Sequence, residues 1–186
     1  MIHHFLKTRH FIPKCHVPKI EDADFDFFYK EGKRLLLIDI DNTLIPYDIS
    51  LPDDELKAFL EDLKKTGFEI VLVSNNGRRR IKPFADALGL PAVWHAKKPL
   101  KWGFKKALRL KVNRFEKHQV LVIGDQIMTD VFGAKRAGLD VCLVKPLKRK
   151  SEKWFTKFNR VIEKKMLEKI AKKYPDTYFK LDLDER

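Results

Sequence analysis

Cysteine is scarce in this 186-residue chain, which has only Cys15 and Cys142. Two cysteines build no disulfide scaffold, and Cys142, inside the apolar run VCLV, reads as a buried thiol; the cytoplasm is the default compartment. The histidines are scattered and never fall with cysteines at the spacing of a zinc site, so they read as surface or core residues. No apolar run approaches the roughly 20 residues of a membrane-spanning helix. The start, MIHHFLKTRHF, is basic but has neither an apolar h-region nor a small-residue cleavage site, which predicts no secretory signal. Internal repeats and low-complexity segments are missing as well.

What is abundant is positive charge. The formal net charge is +13, the pI is about 9.7, and 35% of residues are charged against 44% hydrophobic. That fits a soluble globular protein whose partners carry phosphate: nucleic acid, anionic lipid or an anionic small molecule. The length suits one compact domain with a sizeable core and some terminal residues left over.

The middle of the chain alternates short apolar runs with helical patterns. The runs are 35–39, 70–74, 92–95, 119–124 and 141–144, and candidate helices lie near 53–65, 78–88, 100–109 and 130–137. Pro52 and Asp53 open the first of these helices, and Gly67, Gly89 and Gly138 can end theirs. Continuous apolar strands between helices predict a parallel sheet covered on both faces, a doubly wound, Rossmann-like α/β domain. Residues 1–20 lack a clear period, and 21–31 can form a short helix. Beyond Pro146, Trp154, Phe155, Phe158, Val161, Ile162, Met166 and Ile170 recur at helical spacing among lysines and arginines, a basic amphipathic helix. The expected division is a domain over 1–147, with its basic N-terminal segment, and a helical extension over 148–186 packed on or beside it.

Four segments at the carboxyl ends of predicted strands carry chemistry. Asp39-Ile40-Asp41-Asn42-Thr43 follows the first strand, and such a pair of carboxylates can supply a nucleophile and a proton donor. Ser74-Asn75-Asn76 ends the second, where a hydroxyl and helix-start N–H groups can cradle phosphate. Lys97-Lys98-Pro99 follows the third, and a fixed cation offsets charge on a transferring phosphoryl group. Gly124-Asp125 through Asp130 ends the fourth. Taken singly, these are an acidic turn, a helix cap, a loop lysine and another acidic turn. Taken together, they bring four acids to one edge, a self-repelling cluster that calls for a hard cation, and oxygen-only ligands favour Mg²⁺.

The order acid pair, serine, lysine, acid pair resembles the haloacid dehalogenase (HAD) superfamily. DIDNTL, VSNN, KKPLK and GDQIMTDV are similar to the YqeG family of HAD subfamily IIIA phosphatases, over roughly residues 11–147. The resemblance implies a Mg²⁺-dependent phosphomonoester hydrolase working through an aspartyl phosphate. Asp39 would be the nucleophile and Asp41 the general acid/base. Thr43 would shape the loop, Ser74 with Asn75 would bind the transferring phosphoryl, and Lys98, or failing it Lys97, would be the catalytic lysine. Asp125 would hold Mg²⁺ with Asp39 and the backbone carbonyl of Asp41, and Asp130 would support Lys98 or the metal's water shell. The gaps from Asp41 to Ser74 and from Ser74 to Lys98 are too short for a cap domain, so the mouth is expected to be open. The family includes, by resemblance, the mitochondrial phosphatidylglycerophosphate phosphatase, which makes that lipid or another bulky ester the expected substrate. The expected location is then the cytoplasm, with peripheral attachment to the anionic inner face of the membrane. The alternatives are a phosphatase of soluble, nucleic-acid or protein phosphates, or an RNA- or ribosome-associated protein with secondary catalysis; no recognised RNA-binding motif supports the latter.

Overall fold

The computed structural model describes residues 7–110, 113–147 and 154–183, with the side chains of 154–160 outside the description. Six parallel strands form one sheet: β1 (Cys15–Val17), β2 (Leu35–Ile38), β3 (Glu69–Val73), β4 (Ala92–Val93), β5 (Val120–Gly124) and β6 (Asp140–Val144), in the order β1-β6-β5-β2-β3-β4. The doubly wound parallel sheet expected from the sequence is therefore present. Every residue of β2 and β5 is buried, which is why their sequences, LLLI and VLVIG, are apolar without alternation.

Successive side chains of each strand enter opposite layers. Leu36, Ile38, Ile70, Leu72, Leu121 and Ile123 meet α1 (Phe25–Lys30), α2 (Asp54–Thr66) and α3 (Arg78–Ala87) through Phe28, Leu60 and Phe84. On the other face, Leu35, Leu37, Val71, Val122 and Leu143 meet α4 (Lys101–Arg109), α5 (Phe132–Ala137) and α6 (Trp154–Lys173) through Phe104, Ala134, Met166 and Ile170. A last short helix, α7 (Pro175–Lys180), follows α6. The helix ends follow ordinary capping. The Asp53 carboxylate accepts from Leu56 N–H at the start of α2, and Gly67 ends it at φ 105°, where a Cβ would also strike the Tyr29 hydroxyl.

One region differs from the expectation. Residues 15–17 are a strand, in register with β6 (Cys15 opposite Cys142), where the sequence showed no period. The C-terminal helix uses its apolar stripe internally: Met166 and Ile170 are buried beside Phe11 and Val131, while Val161 is exposed. Trp154, Phe155 and Phe158, and the basic run 148–153, lie outside the described side chains.

The amino edge of the sheet holds a buried lysine. Lys33 Nζ donates to the His118 carbonyl at 2.6 Å and to Asp140 Oδ2 at 2.7 Å, with the Val120 carbonyl at 3.4 Å. Lys14 bridges the same Asp140 (3.3 Å) and Glu31 (2.7 Å). Strand order reverses between β2 and its two neighbours, and in such sheets ligands bind past the carboxyl ends at that point.

Candidate active site

Asp39 is the first residue past β2, and its N–H still donates to the Ile123 carbonyl of β5 at 2.9 Å. The chain then turns sharply. Asn42 takes φ 64°, a conformation asparagine tolerates better than most residues, and the N–H groups of Thr43, Leu44 and Ile45 converge on the Ile40 carbonyl. The turn keeps Asp39 and Asp41 at the sheet edge but aims them differently. Thr43 is buried in it, and its hydroxyl has no hydrogen-bond partner among the described residues.

Lys98 arrives from the loop after β4. Its ammonium is almost fully buried and donates to Asp39 Oδ1 and Asp130 Oδ1, each at 2.6 Å. Burial pulls its pKa down, but Asp130 and Asp39 outweigh burial and hold it above the ordinary lysine value. Lys97 is exposed. The Asn75 side chain positions Lys98: its amide donates to the Lys98 carbonyl at 3.0 Å and accepts from the Lys98 N–H at 2.7 Å. What Asn75 can offer phosphate is therefore its backbone N–H.

Asp125 follows β5 and is completely buried. Asp130 sits in a π-helical turn, Ile127–Val131, that leads into α5, and such turns recur at functional sites. Its Oδ2 accepts from Gln126 N–H at 3.1 Å and from the Thr129 hydroxyl at 3.3 Å. Gly124 makes room for it, since a Cβ there would lie 2.4 Å from the Asp130 Cγ. Carboxylate oxygens of Asp39, Asp125 and Asp130 all lie within 4.8 Å of one another. Burial first, and then Asp130, Asp125 and Asp41, push the Asp39 carboxyl well above its ordinary range, against the pull of Lys98.

The fourth acid points elsewhere. Asp41 Oδ1 accepts from Arg80 Nε at 2.6 Å, and Oδ2 accepts from Asn76 Nδ2 at 2.7 Å and from the Ser74 hydroxyl at 3.4 Å. Arg80 also donates to the Ile49 carbonyl at 2.9 Å and stacks on Tyr47, 4.7 Å from the ring centroid. Ser74 Oγ in turn accepts from Asn76 N–H at 3.1 Å. The expected quartet of acids is thus a converging trio with one partner held apart by an arginine. Neither the Asn76 side chain nor Arg80 was expected at Asp41. The available signal was a run of three arginines opening the helix after Ser74-Asn75-Asn76.

A buried lysine bridges two aspartates, with a third beside them at the switch point of a parallel sheet, an arrangement that can serve phosphoryl transfer. A family model described as haloacid dehalogenase-like hydrolase matches residues 4–138. The chain belongs to that family. Within the HAD family it is 33% identical over 163 residues to "Probable phosphatase YqeG" of Bacillus subtilis (strain 168), covering 88% of this chain and 93% of the relative. It is a YqeG-type HAD phosphatase, a phosphomonoester hydrolase. Two solved structures share the fold. One is a hypothetical protein of Xanthomonas campestris (18% identity, TM-score 0.50, 76% of this chain and 79% of that one). The other is a Vibrio cholerae protein assigned as a 3-deoxy-D-manno-octulosonate 8-phosphate phosphatase (15% identity, TM-score 0.50, 66% and 72%). The converging acids suit the Mg²⁺ that HAD phosphatases generally use: three buried carboxylates, oxygen donors only, repelling one another unless a hard cation joins them.

Proposed function

We propose that hydrolysis runs through an aspartyl phosphate on Asp39. The observation that carries this reading is the Lys98 ammonium, which holds Asp39 Oδ1 and leaves the other carboxylate oxygen for in-line attack on phosphorus. As the bond from phosphorus to the leaving oxygen breaks, Asp41 protonates that oxygen. Water then attacks the aspartyl phosphate, gives its proton to Asp41, and restores the Asp39 carboxylate. Ser74 Oγ, the Thr43 hydroxyl and the backbone N–H of Asn75 receive the phosphoryl oxygens, and Lys98 offsets their charge. Asp39, Asp125 and the backbone carbonyl of Asp41 would hold Mg²⁺, with Asp130 at its water shell. When bound, the ion supplies charge neutralisation of the phosphoryl group.

The substrate we infer is a bulky phosphate ester, with phosphatidylglycerophosphate foremost. Three features support this. Only α2 separates β2 from β3 and only α3 separates β3 from β4, so no cap covers the mouth from there. The net charge is +13. Leu51, Leu100, Trp102 and Leu147 are exposed on segments past β2, β4 and β6, around the carboxyl edge. Among the described residues no helix is long and apolar enough to cross a membrane, so contact with lipid would be peripheral.

The test has two parts. Release of phosphate from a generic aryl phosphate is expected with Mg²⁺ and not in excess chelator, with Asp125→Ala largely inactive; full activity in chelator would exclude the metal role. Flotation with anionic and neutral vesicles at low and high salt, paired with turnover of phosphatidylglycerophosphate, tests the lipid. Binding indifferent to lipid charge, together with no turnover, would favour a soluble, nucleic-acid or protein phosphate.

A further inference from the structure

Beyond Asp41 lies a second cationic feature, of which the hydrolytic chemistry uses only the grip of Arg80 on Asp41. An open groove of about 500 Å³ runs between the loop after β2 and the first turns of α3, lined by Ser50, Leu51, Arg79, Arg80 and Pro83. Arg80 forms the wall it shares with the active site. One side of its guanidinium grips Asp41 Oδ1 through Nε at 2.6 Å and a terminal nitrogen at 2.5 Å, and the plane rests on Tyr47. The lining contains two arginines and no carboxylate, and the volume is that of an ordinary small-ligand site.

The position of this groove limits what can leave. On the phosphatase mechanism proposed above, on which this inference rests, the leaving oxygen takes its proton from Asp41. The atoms bonded to that oxygen then lie beside Asp41, and within a few bonds they reach Arg80 and the groove. A neutral alcohol would bring nothing to match the Arg79 guanidinium. An alcohol carrying its own anionic group would find the exposed Arg79 guanidinium, with the charge of Arg80, itself bound to Asp41 and the Ile49 carbonyl, close by, at the positive end of a ten-residue helix. Leu51 and Pro83 border it with apolar surface.

We propose that this groove is a leaving-group subsite, read by Arg79 with Arg80, for phosphate monoesters whose alcohol carries a second anionic group, a phosphodiester or a carboxylate. Arg80 has a positioning task as well, holding Asp41 in place for the leaving oxygen. Arg79, exposed and outside the Asp41 network, serves the subsite alone and is the residue to test.

The experiment compares kcat/KM with Mg²⁺ for three esters: glycerol 3-phosphate, the deacylated phosphodiester-bearing glycerophosphoglycerol phosphate, and phosphatidylglycerophosphate in mixed micelles. The two with a second anion are expected to exceed glycerol 3-phosphate by about 10–100-fold, the worth of a charge-assisted contact. In Arg79→Gln that ratio falls towards one, and in Arg79→Glu below it. A preference for the micellar over the deacylated ester identifies a lipid source; equal rates identify the free anion. A wild-type ratio near one, or a preference that survives in both Arg79 variants, overturns the subsite while leaving the phosphatase intact. Failure to hydrolyse any of the three, or an aryl phosphate, overturns the mechanism and the subsite together.

Discussion

One sheet carries a buried lysine at each edge, and the two are built differently. At the amino edge, Lys33 meets two backbone carbonyls and one half-exposed carboxylate, Asp140, whose pKa is depressed: burial raises it, but Lys33 and Lys14 outweigh burial. The arrangement is balanced as it stands. At the carboxyl edge, Lys98 meets two buried carboxylates with a third close by, and Asp39 among them is pushed up rather than down. Here, among the described residues, one buried ammonium meets a converging trio of carboxylates. The first arrangement closes the end of a sheet, and the second gathers acids of the kind that suit a hard cation. Burial and ion pairing alone therefore do not mark a functional lysine; the convergence of buried acids around it does.

The contrast can be broken most severely at Asp39. Asp39→Asn is expected to lower phosphate release by about 10³-fold or more, because an amide forms no acyl phosphate. Circular dichroism should show an intact fold, since the change relieves a crowded cluster. Turnover near the wild-type rate by the folded variant would end the mechanism.

The lysines themselves make the sharper comparison. Lys98→Met strands buried carboxylates and is expected to cost about 3–5 kcal/mol in denaturant unfolding, along with a fall of about 10²-fold or more in kcat. Lys33→Met leaves Asp140 its contact with Lys14 and is expected to cost about 1–3 kcal/mol. Its folded fraction should keep the wild-type kcat/KM. Loss of activity in folded Lys33→Met would erase the distinction between the two edges.

The smallest expected effect is at Asp140. Asp140→Asn should cost about 1 kcal/mol at neutral pH, discounted for solvent screening. The sign follows from a depressed folded-state value. The stabilisation is present above the ordinary aspartate range and is lost as pH falls through the lowered folded value. Wild type and variant should therefore converge in strong acid, and melting curves across that range would show it.

Much of this was legible in advance because β2, β3, β5 and β6 are apolar on both faces, so their runs stand out and their ends place Asp39, Ser74 and Asp125. Lys98 was legible through its place after the third run. Other parts left weaker marks. β1 is three residues, Cys-His-Val, at a sheet edge and only partly buried, too short to show a pattern. Lys33 lies in an ordinary Gly-Lys-Arg turn, and only its neighbours in space, His118 and Asp140, show that it is buried. Arg80 reaches Asp41 across 39 residues, and in sequence it was one arginine of three. The aromatic-basic run after Pro146 showed a helical period, which does not say what the stripe covers; where its side chains are described, Met166 and Ile170 face the domain's own core.

The pairing of β1 with β6 also has a consequence for biosynthesis. Lys14 and Asp140, which meet at this edge, are 126 residues apart. At roughly 5–20 residues per second, the N-terminal strand waits about 6–25 s on the ribosome before its partner is made. During that interval β1 is an unpaired edge with a cysteine and a neighbouring lysine, while the strands that present Asp39 and Ser74 can already associate. Closing the sheet is then a late and non-local event, of the kind that makes folding slow.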